Sequence, residues 1–85
     1  MSDVVIYATK LCPYCQMAKA LLDRKGVAYS EVDVTRKPTI RAEMTEKAGG
    51  RQTVPQIWIG DTHVGGCDEL FELERKSLLD DMLEA

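Results

Sequence analysis

The apolar pattern over the first third of the chain is the strongest constraint on its fold. Val4 to Tyr7 is a β-branched and aromatic run bounded by polar residues, as expected of a buried strand. From Tyr14 onward, apolar side chains recur at Met17, Ala18, Leu21 and Leu22, the i, i+3, i+4, i+7, i+8 spacing of one helical face, and Gly26 supplies a C-terminal stop. Val27 to Val34 then alternates, with Ala28, Ser30, Val32 and Val34 on one side and Tyr29, Glu31 and Asp33 on the other, as a strand with one less-buried face does. Strand, helix and strand in that order predict a right-handed parallel crossover.

Pro38 suits the first turn of a second helix, with Ile40, Met44 and Ala48 at i, i+4 and i+8 and Gly49-Gly50 at its end. Gln56 to Ile59, a Gly60-Asp61 turn and Thr62 to Val64 read as an antiparallel hairpin that Gly65-Gly66 breaks. Leu70, Leu73, Leu78, Leu79, Met82 and Leu83 mark one last amphipathic helix or two short ones, with Ser77 as the restart. The expected order is β-α-β-α-β-β-α, an α/β fold with a four-stranded mixed sheet flanked by helices. Eighty-five residues allow one small domain, spanning 1–85. With 45% hydrophobic and 29% charged residues the composition is that of a globular chain, which argues against disorder. No apolar run approaches the ~20 residues of a membrane span. A formal charge of −3 has the wrong sign for binding nucleic acid. Met1-Ser2-Asp3 opens no basic signal region, so a cytoplasmic location is expected, and nothing in the pattern calls for more than a monomer.

Three cysteines are too few, and odd in number, for a disulfide scaffold, which directs attention to metal binding or thiol chemistry. Cys12-Pro13-Tyr14-Cys15 lies where the first strand gives way to the first helix. The first turn of a helix has unpaired N–H groups and a partial positive charge, so a thiol there is stabilised as the thiolate, and Pro13 loses nothing by lacking an N–H. Cys12 is therefore the expected nucleophile, with Lys10 as a nearby cation. Cys15, one helical turn along, is the less exposed, resolving thiol, within the ~4.4–6.8 Å Cα separation that a disulfide requires. The same pair reads as half of a zinc site, for which His63 and Cys67 offer a second half. A hairpin and two helices separate the halves, unlike the short knuckles of structural zinc sites. Two ordinary buried cysteines are the plainest alternative.

Cys12-Pro13-Tyr14-Cys15, Thr53-Val54-Pro55 and Gly65-Gly66-Cys67-Asp68, in that order and spacing, resemble the dithiol glutaredoxins of bacterial glutaredoxin-3 type along essentially the whole chain. The resemblance implies a thioredoxin-like fold and glutathione-dependent thiol-disulfide exchange, with glutathione as reducing co-substrate and no metal. Its implied partners are glutathionylated proteins and protein disulfides, ribonucleotide reductase among them. The family's Val-Pro bond is cis, which would turn the Val54 backbone toward Cys12 to pair with the cysteine residue of glutathione. Thr53, Val54 and Pro55 thus belong to the expected binding site, as does Tyr14. Gly66 lets the backbone approach closely, the N–H groups of Cys67 and Asp68 can hold the γ-glutamyl carboxylate, and the Asp68 side chain can take the ammonium. For the glycyl carboxylate the candidates are Lys10, Arg41 and Gln52. Cys67 otherwise reads as a small buried residue or an oxidisable thiol. The rival functions are a redoxin fed by thioredoxin reductase, which has no need of the Gly-Gly-Cys-Asp clamp, and an iron-sulfur or zinc module using Cys12 and Cys15. Thr9 stands where close relatives carry the lysine, and Glu69 follows Asp68 where they often carry a second aspartate.

Overall fold

The computed structural model describes residues 2–85. The elements are β1 (Val4–Ala8), α1 (Pro13–Arg24), β2 (Ser30–Asp33), α2 (Pro38–Lys47), β3 (Gln56–Ile59), β4 (Thr62–Gly65), α3 (Cys67–Arg75) and α4 (Leu79–Glu84). The sheet order is β2-β1-β3-β4. β1 runs parallel to β2 and antiparallel to β3, and β3 and β4 form the hairpin. This is the mixed four-stranded sheet expected from the sequence, with the C-terminal segment resolved into two helices.

Strand alternation sorts β1 into two faces. Val4, Ile6 and Ala8 are buried and join Ile57 and Ile59 in the core, together with Ala18, Leu21 and Leu22 from α1 and Leu70, Leu79 and Leu83 from α3 and α4. Tyr7 and Trp58 lie on the opposite face, edge to face at 5.3 Å, and Lys47 at the end of α2 covers both rings. Pro38 opens α2 and Met44 anchors it.

Three local expectations change. The core-facing stripe of α1 runs through Cys15, Ala18, Leu21 and Leu22, while Tyr14 and Met17 are 59% and 49% exposed. Helical periodicity admits both stripes, and the helix start at Pro13 rotates Cys15 inward. The second strand is only Ser30–Asp33, at the sheet edge, and residues 27–29 precede it as irregular chain. Tyr29, expected on the same side as Glu31 and Asp33, packs on the core together with Val27. Ser77 does not start α4: its φ of 60° closes α3, and Leu78 caps α4 without a side-chain bond.

Candidate active site

Cys12 caps α1. Its extended backbone precedes Pro13, and its Sγ accepts a hydrogen bond from the Cys15 N–H at 3.1 Å, the place an aspartate or serine oxygen takes in other helices. No acidic side chain sits in that first turn. The two cysteines pair as a disulfide with their Cα atoms 5.2 Å apart. Cys12 is 9% exposed and Cys15 fully buried, so an attacking or attacked group reaches Cys12 first. Leu11, next to Cys12 in the chain, is 97% exposed, and Tyr14 is also exposed.

The Val54–Pro55 peptide bond is cis, and the Val54 carbonyl oxygen stands 3.9 Å from Cys12 Sγ. From this point a cleft of about 320 Å³ runs to the start of α3. It gathers Tyr14, Thr53, Val54 and Pro55 with Gly66, Cys67 and Asp68, all named from the sequence. Three other candidates lie elsewhere. The Lys10 N–H donates to Thr35 Oγ1, and the Lys10 charge adds to the hydrogen bonds from Thr35 that hold the Asp33 carboxyl below its ordinary range. Arg41 donates through Nε and Nη2 to the Gln52 carbonyl oxygen, at 3.3 and 3.0 Å, and these two residues flank a separate shallow recess beside α2.

Two residues to which the sequence assigned no role in the site complete the cleft. Glu69 Oε1 accepts the Gly66 N–H at 2.7 Å and receives Arg51 Nη2 at 3.0 Å. The Gly66 bond first, and then Arg51, hold the Glu69 carboxyl below the usual carboxylate range despite its partial burial. The sequence signal was an acid three residues after the glycine that begins α3, half of a capping box. A β-carbon on Gly65, whose φ is 115°, would come within 2.6 Å of Glu69 Oε1 and 2.7 Å of Arg51 Nη1, so the pair occupies the space that a side chain would need.

Cys67 is buried at the head of α3, and burial, with the Asp68 and Glu69 charges, pushes its thiol up. It is the neutral sulfur of the site. His63 does not join a metal set. Its Nε2 meets Gln56 Oε1 at 2.7 Å and its ring stacks on Trp58 at 4.7 Å, while burial and the Arg51 charge lower its pKa. Among the described residues no three side chains of metal-ligating type converge. Fully buried Gln56 in turn donates to the Thr53 carbonyl and hydroxyl oxygens at 2.9 and 3.2 Å, which ties the cleft loop to the hairpin. A larger groove of about 430 Å³ along α3 is lined by no cysteine and shares only Asp68 and Glu69 with the cleft.

The family model "Glutaredoxin" matches residues 4–64. The chain is 59% identical over 85 residues to "Glutaredoxin" of Pseudomonas aeruginosa, covering 100% of both chains. It is 45% identical to "Glutaredoxin 3" of Escherichia coli K12, covering 99% of this chain and 100% of that one. Its fold superposes on the crystal structure of a buckwheat glutaredoxin-glutathione complex with a TM-score of 0.90 at 31% identity, covering 98% of this chain and 77% of that one.

Proposed function

Because this chain belongs to the glutaredoxin family and is a glutathione-dependent thiol-disulfide oxidoreductase, we propose that Cys12 is its nucleophile, Cys15 its resolving thiol and the cleft from Val54 to Asp68 its glutathione site. The observation that carries this reading is the position of Cys12 Sγ: at the start of α1, hydrogen-bonded by the Cys15 N–H, paired with a buried cysteine and 3.9 Å from the Val54 carbonyl. Glutathione bound in extended form pairs its cysteine with the Val54 backbone, which aims its sulfur at Cys12. The N–H groups of Cys67 and Asp68, at the start of a nine-residue helix, hold the γ-glutamyl carboxylate, and the Asp68 side chain holds the ammonium. The buckwheat protein, solved with glutathione, supports this assignment of the ligand.

In the reaction the Cys12 thiolate attacks the glutathionyl sulfur of a protein-glutathione disulfide. The new bond joins Cys12 to glutathione, and the protein sulfur leaves as a thiolate that takes a proton from solvent. A second glutathione thiolate attacks the same glutathionyl sulfur, forming glutathione disulfide and restoring Cys12. With a protein disulfide, such as one in ribonucleotide reductase, Cys12 forms a mixed disulfide and Cys15 then attacks the Cys12 sulfur. The protein leaves reduced, and two glutathiones later reopen the Cys12–Cys15 bond. The protein performs both routes as a monomer.

A coupled assay with glutathione and glutathione reductase tests the roles. Cys12→Ser keeps a helix-capping side chain, so it folds, and it is expected to lose all turnover. Cys15→Ser is expected to retain deglutathionylation and to lose reduction of protein disulfides. Turnover by Cys12→Ser would overturn the assignment.

A further inference from the structure

We propose that Arg51, held in place by Glu69, recognises the α-carboxylate of the γ-glutamyl residue of glutathione and sets the preference of the enzyme for the glutathionyl group. Resting on the glutathione reading of the cleft, the inference adds a residue that the sequence motifs do not contain.

Arg51 is the one cation among the described residues that line the cleft. Lys10 and Arg41 do not line the cleft, and the Arg41 guanidinium donates to the Gln52 carbonyl. The guanidinium lies against the backbone that begins α3. A β-carbon on Gly65 would stand 2.7 Å from its Nη1, and one on Gly66 would stand 3.7 Å from its Nη2. Glu69 fixes it there through the 3.0 Å contact to Nη2. Because the same Glu69 oxygen already takes the Gly66 N–H, the first free donors of α3 are the N–H groups of Cys67 and Asp68.

A guanidinium carries five N–H donors in a planar fork. Glu69 Oε1 engages Nη2 and leaves the rest of the fork for a second acceptor. An α-amino acid end presents a carboxylate and an ammonium on one carbon. The cleft at the head of α3 is lined by groups of both matching signs, the Arg51 guanidinium and the Asp68 carboxylate. One carboxylate oxygen meets the free N–H groups of α3 and the other meets Arg51. The absence of a side chain at Gly65 is what gives the Arg51–Glu69 pair its room against the start of α3.

The test compares mixed disulfides of one protein with glutathione, with glutathione carrying an amide at the γ-glutamyl α-carboxyl, and with glutathione carrying an amide at the glycyl carboxyl. For the wild-type enzyme the α-amide is expected to be a poor substrate. In Arg51→Gln the KM for the glutathionyl substrate is expected to rise roughly tenfold with kcat within about twofold, as for a lost charged hydrogen bond made equally in ground and transition states. The preference for carboxylate over α-amide collapses in that variant, while the penalty for the glycyl amide stays. Glu69→Gln keeps an oxygen for the Gly66 N–H but no charge for Arg51, and is expected to lose part of the same preference. An unchanged α-amide preference in Arg51→Gln overturns the proposal, as does loss of the glycyl preference in its place. An unchanged preference in Glu69→Gln overturns the positioning role of Glu69. The rate of Cys12 alkylation in Arg51→Gln is expected to match wild type. Turnover by Cys12→Ser would sink the underlying reading of the site, whereas an intact α-amide preference sinks only the role of Arg51.

Discussion

Cys12 and Cys67 each stand at the start of a helix, yet their surroundings set them apart. The Cys12 sulfur takes the Cys15 N–H, has no acid in its helical turn and keeps a small exposed face. Cys67 is followed directly by Asp68 and Glu69, whose charges join burial in pushing its thiol up. The helix-start effect is modest and falls off within a turn, so two adjacent carboxylates and desolvation outweigh it at Cys67. The thiolate is the reacting form. After reduction, limited iodoacetamide at neutral pH is therefore expected to label Cys12 and to leave Cys67 unmodified until the chain is unfolded. Peptide mapping by mass spectrometry reads the order. Labelling of Cys67 at a comparable rate in the folded protein would contradict this division between the two sulfurs.

At the scale of elements, the entry to α3 governs the cleft. The φ of 115° at Gly65 is a conformation that side-chain-bearing residues rarely adopt, and its missing β-carbon makes room for the Arg51–Glu69 pair. Gly65→Ala is expected to cost about 1–3 kcal/mol from the backbone alone. It would also force that pair aside, raising the KM for glutathione. Thermal unfolding and steady-state kinetics check the two effects together, and a variant as stable as wild type with an unaltered KM would refute both. The sequence announced much of this element: Gly65-Gly66 marked a close backbone approach, and Cys67 and Asp68 marked a helix start. It did not announce Arg51, because an exposed arginine in a loop carries no pattern that pairs it with an acid many residues later. Lys10, Arg41 and Gln52 were candidates for the glycyl carboxylate by charge and hydrogen-bonding capacity, whereas the presence of Arg51 in the cleft is visible only in three dimensions. The same limit explains α1. Its period was plain, yet its phase depended on where Cys12 caps it, which moved Cys15 inward and Tyr14 out to the cleft. For β2 the alternating pattern overran a short edge strand, since Val27 and Tyr29 pack on the core without joining the ladder.

Across the whole molecule, the last helix completes the core on which the active-site end is built. Leu79 is fully buried and Leu83 is 4% exposed, in the cluster that also holds Ile6, Leu22, Ile57 and Cys15. Chain ends meet here as well: Ser2 donates through its N–H to the Leu83 carbonyl at 3.3 Å and through Oγ to the Ala85 carbonyl at 2.8 Å. On the outer side Lys25 joins Glu74 and Asp80 at 2.7 and 2.9 Å, linking the end of α1 to α3 and α4, although exposed pairs of this kind contribute little. The apolar contacts therefore dominate, and Leu79→Ala is expected to cost about 2–5 kcal/mol. In a domain of this size each kcal/mol lowers Tm by ~4–8 °C, so a fall of roughly 10 °C or more should be seen by calorimetry or circular dichroism. The cleft residues between Tyr14 and Glu69 do not include α4, so below the transition the variant should keep its KM for glutathione and its Cys12 alkylation rate. An unchanged Tm would mean that α4 is peripheral to the core. A normal Tm loss with a changed KM at low temperature would mean that α4 also shapes the cleft, against the division of labour drawn here between the helices that close the core and the helix starts that bind and react.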